Sequence, residues 1–223
     1  MGAKRAYKKR KYTKKAVSIP KRPSRLSYPG ICPDVMCVQL KYNRAGAFTG
    51  AAPQSNVFRG NSVFDPDYSG VGAQPRGFDQ WKTLYRRYRV IASKVTARGG
   101  TIAASNASGI VVTALNTNTV IGNPVDALES NFAECSKVGT SQGDSSMTVT
   151  NYKSTATVRG GPKDLVQYES DLSALVSANP AQQWYWHVLL YNADGTTGTV
   201  DSNINVEIIY YVEFYDRETL SQS

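Results

Sequence analysis

INVEIIYYVEFYDR, residues 204–217, decides the fold. Ile204, Val206, Ile208, Tyr210, Val212 and Phe214 recur at every second position, so an extended chain places all six on one side. Their intervening partners are mixed. Asn205, Glu207 and Glu213 suit water, whereas Ile209, Tyr211 and Tyr215 are too apolar for an open face and predict a covering contact, such as another subunit. A strand with one buried face needs a second layer, and the rest of the chain supplies candidates of the same kind.

Met36 to Tyr42 alternates Met36, Val38, Leu40 and Tyr42 with Cys37, Gln39 and Lys41, which predicts a first strand. Further strands are predicted over Val57–Phe64, Tyr85–Arg98, Ile110–Asn116, Met147–Val158 and Trp184–Asn192, with a short helical turn at Phe78–Leu84. Loops heavy in Gly, Ser, Asn, Thr and Pro are expected at 43–56, 65–77, 99–108 and 139–146. Two short helices are expected to follow prolines, over Pro124–Ser130 and Pro162–Tyr168. Seven or eight strands with long connections and little helix predict an all-β sandwich. No internal repeat points to a propeller. A single sandwich of about 190 residues with long loops favours the jelly roll over an immunoglobulin-type domain of about 100.

Charge divides the chain. Of its 26 Lys and Arg residues, eleven lie within residues 1–25: Lys4, Arg5, Lys8, Lys9, Arg10, Lys11, Lys14, Lys15, Lys21, Arg22 and Arg25. No acidic residue precedes Asp34, so the body holds 15 basic against 17 acidic residues, a net of −2. The expected organisation is a basic arm and linker over 1–33 and one jelly-roll domain over 34–223. A polycation with few apolar residues packs no core, and Pro20 and Pro23 interrupt a continuous helix, so the arm reads as disordered. Its eleven cations suit phosphate, and Tyr7 and Tyr12 suit stacking on unpaired bases. Lys8, Lys9, Arg10, Lys11, Lys14 and Lys15 are also dense enough for nuclear import. Attachment to an anionic membrane fits less well, because no amphipathic apolar face accompanies the charge.

The first residues carry charge without an apolar run, unlike a secretory leader, and no stretch approaches the length of apolar residues that spans a bilayer. Cys32, Cys37 and Cys135 form neither a disulfide framework nor a zinc spacing, so reduced thiols are expected. No cofactor motif, nucleophile elbow or phosphate-binding glycine loop is present, and the reading is of a non-enzyme. His187, the single histidine, sits in an aromatic strand and reads as structural, since catalysis or metal binding needs partners in reach. Asp65 and Asp67 flank Pro66. Paired carboxylates suit calcium between subunits, but Asp-Pro-Asp equally favours a tight turn, and the turn reading is preferred. Asn106-Ala107-Ser108 is a glycosylation triplet, expected to be unused without a secretory route.

Trp81, Lys82, Tyr85, Arg86, Arg87 and Arg89 form the one basic and aromatic cluster in the body. Such a cluster can contact nucleic acid on an inner surface or an adjacent subunit, and Arg on alternating strand positions can equally pair with carboxylates.

Several segments together resemble the capsid proteins of circovirus-like, circular single-stranded DNA viruses. They are FRGNSVFDPDYSG (Phe58–Gly70), QPRGFDQW (Gln74–Trp81) followed by YRRYRV (Tyr85–Val90), ANPAQQWYWHV (Ala178–Val188) and YYVEFYDR (Tyr210–Arg217). The arm is shorter and richer in Lys than the long Arg-rich arms of the best-known circoviruses. The resemblance implies an eight-stranded jelly roll and self-assembly into a small icosahedral shell, most simply of about 60 copies. It further implies single-stranded DNA as cargo, import of the new subunit into the host nucleus, residence in the virion and an unknown host receptor. Read without the resemblance, the residues leave a second possibility, a cellular nucleic-acid-binding β-domain with a basic nuclear-targeting tail. A receptor-binding jelly-roll trimer of the cytokine type would need a secretory or anchor segment.

Overall fold

The computed structural model describes residues 32–70, 72–101, 108–137, 146–193, 195 and 198–219. The basic arm and Asn106-Ala107 of the glycosylation triplet lie outside them. Among the described residues the chain runs β1 (Val35–Ala51), β2 (Gln54–Arg59), α1 (Phe78–Lys82), β3 (Tyr85–Thr101), β4 (Ser108–Leu115), α2 (Pro124–Leu128), β5 (Glu134–Lys137), β6 (Ser146–Ser154), α3 (Thr155–Arg159), α4 (Leu165–Tyr168), a 3₁₀ turn (Ser170–Leu172), β7 (Ser173–Leu175), β8 (Tyr185–Asn192) and β9 (Thr199–Arg217).

Two antiparallel sheets result. One has the order β1-β9-β3-β6, with the short β7 beside the start of β3. The other has the order β2-β8-β4-β5. Sequence neighbours β1 and β2 stand in different sheets, as do β3 and β4, so the chain alternates between layers as it winds. This is the jelly roll, two Greek keys rolled into a sandwich.

The alternation that announces β9 does what it predicts. Ile204, Val206, Ile208, Tyr210, Val212 and Phe214 are all buried, while Ile209, Tyr211 and Tyr215 are half-buried. Between the sheets β9 meets Trp186, Val188 and Leu190 of β8 and Ile110, Val112 and Ala114 of β4 within one core. The polar tips of Trp184, Trp186 and Tyr210 are satisfied within the sandwich, whereas the buried Tyr191 hydroxyl has no partner among the described residues. Trp186 Nε1 donates to Ser93 Oγ at 2.8 Å, and Ser93 Oγ donates to the Gly60 carbonyl at 2.8 Å. Trp184 Nε1 donates to Thr155 Oγ1 at 3.1 Å, which donates to the Val90 carbonyl at 2.7 Å. Tyr210 OH donates to the Arg59 carbonyl at 2.7 Å. Each bond spares a buried group a desolvation cost of about 1–3 kcal/mol.

Several boundaries differ from the sequence reading, each for a physical reason. Residues 43–51, expected to be loop, continue β1, because Asn43 to Ala51 pair in unbroken register with Glu207 to Thr199 of β9. Ala45, Gly46 and Ala47 carry no hydrophobic rhythm, so only the partner strand reveals them. The expected strand Val57–Phe64 ends at Arg59; Gly60 to Val63 are buried but irregular. The expected strand Met147–Val158 ends at Ser154, whose hydroxyl accepts from Thr157 N at 3.1 Å and caps α3, while Gly160 at φ 72° closes that helix. The helix expected from Pro162 starts later, at Leu165. Strands β5 and β7 are too short for a periodic signal.

The outer face of the second sheet is covered by the connection that carries α2. Ala127 packs with Val111, Leu189 and Tyr191, and Thr113 Oγ1 shares a 2.7 Å hydrogen bond with Ser130 Oγ. His187 belongs to this layer. It is fully buried, and its Nε2 lies 2.8 Å from the Thr117 carbonyl, which fixes the proton on Nε2 and leaves Nδ1 without a partner among the described residues. Burial lowers its pKa below the ordinary 6.5, with the Thr117 carbonyl opposing in part. The unfolded chain therefore takes up a proton at a pH where the folded chain does not. Stability is full above about pH 6.5 and falls as the pH drops through that value toward the folded pKa. Urea midpoints measured from pH 7.5 to 5.5 should decline, and His187→Gln should flatten the decline while lowering the whole curve. An unchanged slope in that variant would refute the assignment.

Candidate nucleic-acid interface

The sequence cluster over residues 81–89 straddles α1 and the start of β3, and the fold sorts its members by direction. α1 is opened by Gly77 at φ 91°, a left-handed conformation that glycine adopts at little cost, and it buries Phe78. Trp81 packs inward: its ring stacks on Phe214 at 5.9 Å and 21°. Tyr85 is fully buried, its hydroxyl donating to the Pro33 carbonyl at 2.8 Å. Burial, with the neighbouring Cys32 thiol adding, pushes the Tyr85 phenol up to about 12. Tyr85 has no free face, and Trp81, half-buried, has one face on Phe214.

The cations of the cluster are mostly engaged. Lys82 pairs with Asp79 at 2.7 Å. Arg86 forms a two-pronged pair with Glu218, Nε to Oε2 at 2.9 Å and Nη2 to Oε1 at 3.1 Å. That contact raises the Arg86 pKa and lowers the Glu218 pKa. Arg89 donates to Glu213 at 2.7 Å and lies 4.9 Å from the ring centre of Tyr215. Arg87 stands opposite Tyr215 and Leu175, makes no ion pair among the described residues, and its Nε has no partner there. The Arg86 and Arg89 pairs join the start of β3 to the end of β9 and the residue that follows it. Their net contribution to stability is modest where exposed, as for Arg86–Glu218.

Along β9, the even-numbered residues turn to the core and the odd ones to the outer face of the first sheet. Register extends that face across four strands. Lys41 of β1 is opposite Ile209 of β9, Ile209 is opposite Lys94 of β3, and Lys94 is opposite Tyr152 of β6. Tyr152 is 54% exposed and meets Tyr211 edge to face at 5.8 Å. Beside this row, Glu207 is bonded to Lys41 at 2.5 Å and has Arg98 at 3.9 Å. The Lys41 hydrogen bond, then the charges of Lys41, Arg98 and Lys94, hold the Glu207 carboxyl below its usual range. Three cations thus converge on one carboxylate. None of Lys41, Lys94, Arg98 and Tyr152 stands out in the sequence, because they come from three separate strands and meet only through register.

Where the β3 register shifts between Val90 and Ala92, the same face carries a groove of about 320 Å³ lined by Cys37, Gln39, Ile91, Tyr211 and Glu213. Partial burial, and then the Glu213 carboxylate 3.8 Å away, push the Cys37 thiol above its usual pKa. Cys32, Cys37 and Cys135 are all free thiols.

Asp67 forms turn chemistry, and both Asp65 and Asp67 have arginine partners. Asp67 Oδ1 accepts from Ser69 N at 2.9 Å and from Ser69 Oγ, and its carboxylate pairs with Arg44. Asp65 pairs with Arg59 at 2.8 Å.

No protein-family model and no curated protein sequence matches the chain. Among solved structures it is similar to that of Cocksfoot mottle virus, with a TM-score of 0.51 and 12% identity, over 83% of this chain and 97% of that one. It is also similar to the structure of Desmodium yellow mottle tymovirus (TM-score 0.47, 13% identity, 91% and 99% covered). A third is the decameric BFDV capsid protein (TM-score 0.45, 12% identity, 81% and 99% covered). At such identities the likeness concerns the fold, and the first of these agrees with the jelly roll that the strand order describes.

Proposed function

We propose that this chain is the capsid subunit of a circovirus-like virus, assembling into a small icosahedral shell and packaging circular single-stranded DNA through its basic arm. The observation that carries the reading is the pairing of a near-neutral jelly roll with a polycation at its front. The two sheets run β1-β9-β3-β6 and β2-β8-β4-β5, an architecture that the Cocksfoot mottle virus structure shares. The eleven cations of residues 1–25 precede a body of net charge −2. A neutral wall tiles without self-repulsion, and the arm neutralises the enclosed phosphate. Subunit contacts are individually weak and gain strength by multivalency. The role is structural rather than catalytic, with homo-oligomeric partners, DNA, the nuclear import machinery of the host during assembly and a host receptor.

The ion-paired cluster Lys82, Arg86 and Arg89 suits the subunit-contact role, because its charges are already neutralised within the chain. Arg87 remains the member best placed to meet phosphate. Electron microscopy and sedimentation of the purified chain test the reading. Closed particles that release nuclease-sensitive DNA on disruption are expected; a monomer at every salt concentration, indifferent to oligonucleotides, would defeat it.

A further inference from the structure

The geometry points to the outer face of the β1-β9-β3-β6 sheet as a second nucleic-acid surface, on which single-stranded bases stack at Tyr152 and Tyr211 while Lys94, Lys41 and Arg98 hold the backbone. This rests on the reading of the chain as a nucleic-acid-packaging subunit and names where, beyond the arm, the strand runs.

Three observations support it. The first is charge. Lys41, Lys94 and Arg98 surround one carboxylate, Glu207, so the centre of the face keeps an excess of two positive charges in a body that is otherwise slightly acidic. Arg87, without an ion pair among the described residues, adds another on the same face. The second is the exposed aromatic pair. Tyr152 keeps 54% of its surface open on an edge strand, and its T-shaped contact with Tyr211 leaves it braced yet uncovered. An aromatic ring beside lysine is the stacking platform that single strands use without regard to sequence. The third is spacing. Lys41 and Lys94 flank Ile209 two strand intervals apart, about 10 Å, and Arg98 follows four residues along β3, about 13 Å further. A flexible strand crossing the sheet obliquely meets all three.

A second copy of the same face fits less well, because it would set these cations against their own equivalents. The bases have no specific hydrogen-bonding pocket here, so little preference among sequences is expected, and DNA and RNA should bind comparably.

The full-length protein bound to bromodeoxyuridine-substituted oligo(dT), irradiated and mapped by mass spectrometry, tests the assignment. Cross-links to Tyr152 or Tyr211 are expected. Tyr152→Ala should weaken oligo(dT) and oligo(U) binding by roughly 5- to 100-fold, and Lys94→Glu should weaken both and flatten the salt dependence. Both side chains are on the outer face, so folding should survive. Cross-links confined to residues 1–31 would overturn this inference and leave the proposed function standing. So would a Tyr152→Ala chain that assembles poorly at unchanged oligonucleotide affinity. No binding by the unaltered chain would overturn both.

Discussion

If the chain is the proposed capsid subunit, deleting residues 1–25 should leave it able to assemble, into particles that are empty. The expectation follows from where the charge sits. The deletion removes eleven cations and no carboxylate, and the remainder carries a net of −2. On single strands each neutralised phosphate contributes about 0.7 to the slope of log K against log salt, so eleven contacts give a slope near −8 per subunit. The cations on the outer sheet face number three around Glu207, enough for a slope of about −2 if all engaged. At physiological salt that remainder should orient a strand already held but not retain one. Meanwhile the jelly roll starts at Val35, and its core between the two sheets draws on residues from Leu40 to Phe214. The fold should therefore survive truncation. The measurement is absorbance at 260 against 280 nm on purified particles, with the salt midpoint of oligonucleotide release beside it. Truncated particles that still enclose DNA at the level of the full chain would sink the mechanism, and truncated chains that fold but do not assemble would show that the arm also organises the wall.

How much of this is legible in the sequence depends on whether a residue's partner is near along the chain. The β9 alternation from Ile204 to Phe214 is local and readable, and with it the all-β class. The Pro124 helix is readable because its cap, Asn123 accepting from Val125 N at 3.0 Å, is two residues away. The second half of β1 is not, since Ala45-Gly46-Ala47 owe their extended form to hydrogen bonds with residues more than 150 positions later. The same holds for function. The arm advertises itself by density of charge, whereas Lys41, Lys94 and Tyr152 form a row only after three strands have paired with β9 or with one another. Trp81 and Tyr85 illustrate the converse. Beside arginines in sequence they suggest stacking on a base, and in the fold their rings pack on Phe214. Alternation in a strand says that two faces exist; it does not say which of them is closed.

Arg59→Ala should be the most damaging single substitution outside the aromatic core. Arg59 closes β2 and sends its guanidinium back over the loop that follows. Nε donates to Gln183 Oε1 at 2.8 Å, and Nη1 donates to the Asp65 carbonyl at 2.9 Å, to Asp65 Oδ2 at 2.8 Å and to the Asp67 carbonyl at 3.0 Å. The guanidinium also sits 5.2 Å from the Tyr68 ring centre. One side chain thus shapes residues 59–68 and ties them to the segment that leads into β8. Its side chain is 12% exposed and that of Asp65 is 26% exposed, so the pair is screened on one side only. Alanine would leave two carbonyls and a carboxylate short of donors. Breaking a buried pair costs about 3–5 kcal/mol, and the partial exposure of Asp65 brings the expectation to about 3 kcal/mol. For a domain of this size that is a fall in Tm of about 6–12 °C. Asp65→Asn keeps an oxygen acceptor for Nη1 but leaves the largely buried Arg59 cation without its counter-charge, and should cost about 1–2 kcal/mol, less than Arg59→Ala. Arg59→Lys keeps the charge but not the planar fork, and should recover less than half of the loss. Urea denaturation of the three variants separates the contributions. If Arg59→Ala unfolds within about 0.5 kcal/mol of the unaltered chain, the loop is held by its turn chemistry at Asp67 and Ser69, and the guanidinium is incidental.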